Sequence, residues 1–231
     1  MAYKYFNPQW AEGRRVLGVL FDMDGVILDT EKLYTRFWQE ALNALGYPMT
    51  RAQALQMRSL NRNEGLAKLE SFFGPGVDYA AARGKRIELM DAYIAIHGVE
   101  PMPGVTELLD ELDRRNIPAA ITTSSPVERV HTYLDRLGLT PRFQKICTAY
   151  QVAHGKPAPD IYQFGAESLG LLPEQCLAIE DSDTGILSAY RAGCLPIMVP
   201  DQDVPQPETL PRLYALADSL LDIPAILDCL P

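Results

Sequence analysis

The sequence contains an apolar run that ends abruptly in two carboxylates and a glycine, Val16-Leu-Gly-Val-Leu-Phe-Asp22-Met-Asp24-Gly25-Val-Ile-Leu-Asp-Thr30. An apolar run without polar alternation is typical of a central strand that is buried on both faces of its sheet. The last residues of such a strand lie at the carboxyl edge of the sheet, where open α/β folds bind ligands. The run therefore predicts that Asp22 and Asp24 lie together at the mouth of a crevice.

Two carboxylates this close repel each other unless a cation or a shared proton lies between them. Mg²⁺ is commonly bound by one or two carboxylates together with a substrate phosphate, so the pair predicts a Mg²⁺ site. A solvated Asp-Gly turn after a strand is the plainer alternative. A calcium-binding EF-hand loop is excluded, because Val26 stands where the third ligand should be and Ile27 where that loop needs its glycine.

Composition limits the class of protein. The 231 residues suffice for one domain or for a core with a smaller insert, and 47% hydrophobic content supports a substantial core. The net charge of −9 argues against a broad nucleic-acid interface. The sequence has neither an apolar run of membrane-spanning length nor an N-terminal signal core, and its four cysteines are scattered. We therefore expect a cytoplasmic protein with no membrane or nucleic-acid partner and no obligate protein partner.

The pattern of apolar residues changes along the chain. Helical spacing begins at Glu31 and continues without a strand signal to about residue 99. After that point strands and helices alternate, which indicates a parallel sheet with right-handed crossovers. We predict an α/β core formed by residues 1–29 and 100–231, with a helical bundle of residues 30–99 inserted after the first strand. Residues 1–15 are polar with scattered aromatic side chains and indicate no role.

Other polar groups follow predicted strands or precede a helix: Thr123, Ser124, Ser125, Lys156, Glu180 and Asp181. Each has a plainer explanation alone, as a helix cap, a solvated loop lysine or the start of a helix. In a parallel sheet, however, they would meet at one edge with the two aspartates. Together they provide a nucleophile, hydroxyl donors, a cation and carboxylates for a metal, which favours phosphoryl transfer.

At these residues the chain resembles the haloacid dehalogenase-like (HAD) hydrolase superfamily. The matching motifs occur in the family's order and span nearly the whole chain: Asp22-Met-Asp24-Gly-Val, Thr123, Gly155-Lys156-Pro157, and Glu180-Asp181-Ser182 followed by Gly185. The resemblance implies a Rossmann-like parallel sheet core of HAD type, with the inserted helical bundle acting as a cap domain.

The resemblance also implies roles for the matching residues. Asp22 would be the nucleophile that forms an aspartyl-phosphate, and Asp24 the general acid and base. Thr123 and Lys156 would bind the phosphoryl oxygens.

A Mg²⁺ site is implied by the same resemblance. The metal would be held by the Asp22 carboxylate, by the backbone carbonyl of Asp24 and by Asp181. Glu180 would assist directly or through water.

Within the superfamily, the segments Asp24–Tyr34, Ala120–Ser125 and His154–Pro157 resemble the β-phosphoglucomutase-like group, which includes phosphatases of sugar phosphates and of pseudouridine 5′-phosphate. Arg62 and Lys85 stand where mutases of this group contact substrate. We also expect Ser124 and Ser125 to bind substrate, as hydroxyl donors at a strand end.

These features predict a Mg²⁺-dependent phosphatase of a small phosphorylated metabolite, a sugar phosphate or a nucleotide-like monophosphate. The main alternative is a phosphomutase of the β-phosphoglucomutase type, but Tyr34 replaces a histidine found in the mutases. A dehalogenase is disfavoured because the carboxylate of Asp24 suits protonation of a leaving oxygen. A non-catalytic sensor of phosphorylated ligands is a further alternative, which turnover of an aryl phosphate would exclude.

Overall fold

The computed structural model describes residues 3–58, 60, 62–202 and 204–230. The chain forms two compact units. The larger comprises Met1–Leu28 and Pro101–Pro231, and the smaller comprises Asp29–Glu100. In the larger unit Leu28 forms an antiparallel bridge with Pro101, so the chain leaves this unit and returns to it at neighbouring points.

The larger unit contains a seven-stranded sheet. Its strands are β1 (Tyr3–Tyr5), β2 (Gly18–Phe21), β3 (Ala119–Thr123), β4 (Lys145–Thr148), β5 (Cys176–Glu180), β6 (Leu195–Met198) and β7 (Ala215–Ala217). Their order across the sheet is β1-β7-β6-β5-β2-β3-β4. Strands β2 to β7 pair in parallel, which confirms the predicted α/β class, and β1 adds an antiparallel edge strand that the sequence did not indicate.

Helices in the smaller unit are α1 (Glu31–Ala44), α2 (Arg51–Leu55), α3 (Arg62–Phe73) and α4 (Tyr79–His97). Those in the larger unit are α5 (Val105–Arg115), α6 (Val127–Arg136), α7 (Asp160–Ser168), α8 (Asp183–Ala192) and α9 (Ile223–Asp228). The apolar spacing predicts helices over residues 31–45, 51–58, 63–73, 79–97, 105–115, 127–137, 161–169 and 184–192, and most observed bounds lie within one residue of these. Helix α2 is the exception, since it ends at Leu55. No helix within the described ranges combines the length and apolar character that a membrane crossing needs.

Strand β2 lies at the centre of the parallel sheet, between β3 and β5. All four of its residues are buried, as expected for an apolar strand covered on both faces. Its neighbours are buried along their whole length as well. This arrangement brings the residues that follow β2, β3 and β5 to one edge of the sheet. At this edge Gly25 has a φ of 81°, a conformation that glycine adopts without strain.

The smaller unit has an apolar core of its own, in which Trp38, Leu42, Leu69 and Ala82 are buried. Its longest helix, α4, begins where the Asp78 side chain accepts a hydrogen bond from the Ala81 amide at 2.9 Å. Charged side chains are also buried in this unit. The guanidinium of Arg86 lies over the rings of Tyr34 and Trp38, at 4.7 and 5.2 Å from their centroids. Tyr34 therefore packs against a cation within the helical bundle.

Candidate active site

Three carboxylates converge at the carboxyl ends of two neighbouring strands. Asp22 follows β2, Glu180 is the last residue of β5, and Asp181 comes next. The parallel register aligns Phe21 with Ile179, which brings the residues after them to the same level. One carboxylate oxygen from each of the three acids lies within 4.8 Å of the others. The sheet register thus builds the acidic cluster that the strand-end pattern predicts.

Lys156 connects two of these acids. Its Nζ donates hydrogen bonds to Asp22 Oδ1 at 2.5 Å and to Glu180 Oε1 at 2.6 Å, and its side chain is 8% exposed. Burial alone would lower the pKa of Lys156, but the carboxylates of Asp22 and Glu180 outweigh burial and raise it above its usual value. The side chain therefore remains an ammonium ion that faces two acids.

The acids of this cluster affect the pKa of Asp22. Burial, followed by the carboxylates of Glu180 and Asp24, raises the pKa of Asp22 although Lys156 opposes the change. Asp22 and Glu180 both contact the Lys156 ammonium group, and Asp181 lies close to these two acids. Carboxylate oxygens are the ligands that hard divalent cations prefer, so Asp22, Glu180 and Asp181 fit such an ion.

Glu180 is fully buried and receives hydrogen bonds from several side chains. The Tyr162 hydroxyl donates to Oε1 at 2.5 Å, and the Ser182 hydroxyl donates to Oε2 at 3.2 Å. Burial and the nearby acids raise the pKa of Tyr162 well above its usual value, so its phenol keeps the proton that it donates. A Cβ atom at Gly185 would lie 1.9 Å from the Glu180 carboxyl carbon. Only glycine fits at this position while Glu180 keeps its place.

The end of β3 carries the predicted hydroxyl groups. Thr123 is buried, and its Oγ1 accepts a hydrogen bond from the Ser125 amide at 3.0 Å. Ser125 is buried too, and its hydroxyl donates to Asp24 Oδ2 at 2.9 Å. Ser124, between them, is exposed. Asp24 is therefore hydrogen-bonded to the turn that follows β3, whereas Asp22 is hydrogen-bonded to Lys156.

The remaining predicted site residues belong to the smaller unit. Arg62 is exposed at the start of α3. Lys85 lies on α4 and pairs with Glu88 at 2.7 Å, one helical turn away. The substrate contacts predicted for these two residues, and for Ser124 and Ser125, stay predictions. Sequence reasoning missed Tyr162, which lies on the buried face of α7 together with Ile161 and Ala166.

The family profile described as "Haloacid dehalogenase-like hydrolase" matches residues 19–199. This segment contains the acidic cluster, the lysine and the hydroxyl-bearing turn described above. The chain belongs to the haloacid dehalogenase-like hydrolase family and is an enzyme of that family.

Relatives of known name extend over most of the chain. The chain is 34% identical to a "Probable pseudouridine-5'-phosphatase" of Drosophila melanogaster over 220 residues, which cover 90% of this chain and 92% of that protein. It is 31% identical to "Beta-phosphoglucomutase" of Bacillus subtilis, over 78% of this chain and 82% of that one. Among solved structures, a HAD family hydrolase of Deinococcus radiodurans with bound phosphate and sodium is 30% identical, with a TM-score of 0.74. That match covers 93% of this chain and 97% of the other.

Proposed function

We propose that this protein is a Mg²⁺-dependent phosphatase of a small phosphorylated metabolite, either a sugar phosphate or a nucleotide-like monophosphate. The observation that carries the proposal is the convergence of Asp22, Lys156, Glu180 and Asp181 at adjoining strand ends. The names of the pseudouridine-5'-phosphatase and the phosphoglucomutase support a small phosphorylated substrate, and the Deinococcus hydrolase contains bound phosphate.

In the proposed mechanism the Asp22 carboxylate attacks phosphorus and the bond to the leaving oxygen breaks, which leaves an aspartyl-phosphate. Asp24 gives its proton to the leaving oxygen. Asp24 then takes a proton from water, and the oxygen of that water attacks phosphorus and releases Asp22 and inorganic phosphate. Lys156, which already contacts Asp22, and Thr123 would bind the phosphoryl oxygens.

The acidic cluster would hold the metal. Asp22 and Asp181 would provide carboxylate ligands, Asp24 its backbone carbonyl, and Glu180 a ligand either directly or through water. When bound, Mg²⁺ offsets negative charge on the phosphoryl group.

We further propose that the smaller unit acts as a cap domain and that Arg62 and Lys85 select the substrate. The four cysteines are free thiols, which supports a cytoplasmic location.

The role proposed for Asp24 predicts how Asp24→Asn affects different substrates. General acid catalysis contributes on the order of 10²–10⁴-fold and matters most when the leaving oxygen is strongly basic. We expect Asp24→Asn to lose activity of about this size with alkyl phosphates and much less with p-nitrophenyl phosphate. Values of kcat/KM for both substrates check this expectation. Equal losses would rule out the acid role.

A phosphomutase is the second candidate, since the Bacillus relative carries that name. A mutase passes the phosphoryl group of the aspartyl-phosphate to a sugar hydroxyl. It must therefore shield the aspartyl-phosphate from water and time its acid and base catalysis. Resemblance assigns a histidine to this task where the present chain has Tyr34. A tyrosine has a reference pKa of about 10, against about 6.5 for histidine, and relays protons less readily at neutral pH. Tyr34 also packs against Arg86, which favours a structural role.

The two candidates differ in their products. We expect release of inorganic phosphate in step with the loss of a phosphorylated substrate, over a panel of sugar phosphates and nucleoside monophosphates with Mg²⁺. The panel includes β-glucose 1-phosphate with a catalytic amount of glucose 1,6-bisphosphate. Glucose 6-phosphate that accumulates faster than free phosphate would instead establish the mutase.

A further inference from the structure

Glu180 is the most deeply buried acid of the cluster, and Tyr162 contacts it from within the core. Both side chains are fully buried. The Tyr162 hydroxyl donates a hydrogen bond to Glu180 Oε1 at 2.5 Å, and Lys156 Nζ donates to the same oxygen at 2.6 Å. The Lys156 ammonium group also lies 5.1 Å from the centre of the Tyr162 ring. Tyr162 therefore contacts two charged groups of the site, one through its hydroxyl and one through its ring face.

Tyr162 itself is fixed by the packing of α7. It lies in the first turn of this helix, where its amide donates to the Pro159 carbonyl at 3.1 Å. Three residues further along, a Cβ atom at Gly165 would lie 2.5 Å from Thr122 Cγ2, so α7 packs against the sheet at a distance that only glycine permits. The ring lies in one buried cluster with Leu20 of β2. The core thus sets the position of the Tyr162 hydroxyl.

Glu180 is also confined by α8. The backbone of Gly185 in this helix lies so close to the Glu180 carboxyl group that a Cβ atom there would overlap it. Ser182, the N-cap residue of α8, donates its hydroxyl to Glu180 Oε2 at 3.2 Å. Two helices therefore fix the orientation of a carboxylate that a bare strand end would leave free to rotate about its side-chain bonds.

We infer that Tyr162 is a positioning residue that makes the metal site rigid and thereby selects Mg²⁺ over Ca²⁺. Mg²⁺ demands near-ideal octahedral geometry, whereas Ca²⁺ accepts a variable number of oxygen ligands in flexible arrangements. A carboxylate of fixed orientation favours the more demanding ion, whether Glu180 binds it directly or through water. Partners that hydrogen-bond to metal ligands commonly control affinity in this way. The inference rests on the proposed function but concerns the binding of the ion alone.

Tyr162→Phe removes the hydroxyl and keeps the ring in the core. We expect the Kd for Mg²⁺ to rise about ten- to a hundredfold, the usual effect of losing a hydrogen-bond partner of a metal ligand. The Kd for Ca²⁺ should rise less than about threefold, because Ca²⁺ tolerates an altered orientation of the carboxylate. The preference for Mg²⁺ therefore falls. A purely structural role of the hydroxyl would change the two Kd values by the same factor or leave both unchanged.

Isothermal titration calorimetry of the metal-free protein with Mg²⁺ and with Ca²⁺, in the absence of substrate, measures both affinities. Tyr214→Phe is the matched control, because it removes the hydroxyl of another buried tyrosine of the larger unit, whose ring centre lies 5.3 Å from that of Tyr5. We expect this control to bind both ions as wild type does. Ser182→Ala removes the more distant donor to Glu180 and should shift the preference in the same direction by a smaller factor.

An unchanged ratio of the two Kd values in Tyr162→Phe, while wild-type protein binds Mg²⁺, would overturn the inference and leave the proposed phosphatase intact. If Tyr162→Phe does not fold, the ratio in Ser182→Ala decides, and an unchanged ratio there has the same meaning. Wild-type protein that binds no Mg²⁺ would overturn the proposed dependence on Mg²⁺, and the inference with it.

Discussion

Asp22→Asn is expected to reduce phosphate release by at least about 10⁴-fold, because the amide lacks the charge with which the carboxylate attacks phosphorus. Removal of a catalytic nucleophile costs on the order of 10⁶-fold in a well-studied hydrolase. The amide has nearly the same shape, and Lys156 keeps its second partner, Glu180, at 2.6 Å. The fold should therefore survive. Steady-state phosphate release measures the loss, and circular dichroism with thermal unfolding checks the fold.

A matched control for this variant is Asp110→Asn. Asp110 is an exposed carboxylate in the larger unit that pairs with Arg142 at 2.8 Å. The same chemical change there should leave turnover within about twofold of wild type, since surface substitutions have small effects. Near-wild-type activity of Asp22→Asn with an unchanged requirement for Mg²⁺ would exclude Asp22 as the nucleophile.

Lys156→Met is expected to impair both stability and turnover. The substitution removes the ammonium group between Asp22 and Glu180 and leaves two buried carboxylates without their cation. Breaking a buried ion pair on one side costs about 3–5 kcal/mol. Turnover should also fall by about 10³-fold, because a preorganised positive charge beside the phosphoryl group is lost.

Denaturant unfolding without added metal measures the stability change, and phosphate release with Mg²⁺ measures turnover. Lys145→Met, which alters an exposed lysine at the start of β4, is the matched control. A Lys156→Met protein as stable as wild type would contradict the view that Lys156 offsets the charge of the acidic cluster. Retained turnover would contradict its role toward the phosphoryl group.

The sequence predicted the acidic cluster because a parallel sheet carries all of its strand ends to one edge. Asp22 and Glu180 are far apart in the chain, but Asp22 follows one apolar run and Glu180 ends another. The parallel pairing of β2 and β5 then brings the two carboxylates together. The hydroxyl contacts of Ser125 and Tyr162 with the site carboxylates could not be predicted in this way. The bond from Ser125 to Asp24 depends on side-chain orientation at a turn.

Tyr162 was missed for a different reason. It lies on the apolar stripe of α7 beside Ile161 and Ala166, so its pattern is that of a core residue. Only the packing of α7 on the sheet reveals that its hydroxyl reaches Glu180. The edge strand β1 was missed because its three residues are too few to form a pattern and pair with β7, more than two hundred positions away.

The smaller unit shows the limit of assignment by resemblance. Lys85 and Arg86 are adjacent basic residues, and successive positions on a helix point about 100° apart. Lys85 pairs with Glu88 at the surface, whereas Arg86 is buried against Tyr34 and Trp38. A sequence comparison cannot decide between neighbours of like charge, because the difference lies in which face of the helix each one occupies.

Covalent catalysis by Asp22 requires a phosphorylated enzyme, which can be trapped. Wild-type protein turning over p-nitrophenyl phosphate with Mg²⁺ is quenched in acid, digested and analysed by mass spectrometry. We predict the mass of one added phosphoryl group on the peptide that contains Asp22, and no added mass on that peptide in Asp22→Asn. A phosphoryl group on another residue, such as Thr123 or Ser124, would exclude Asp22 as the nucleophile.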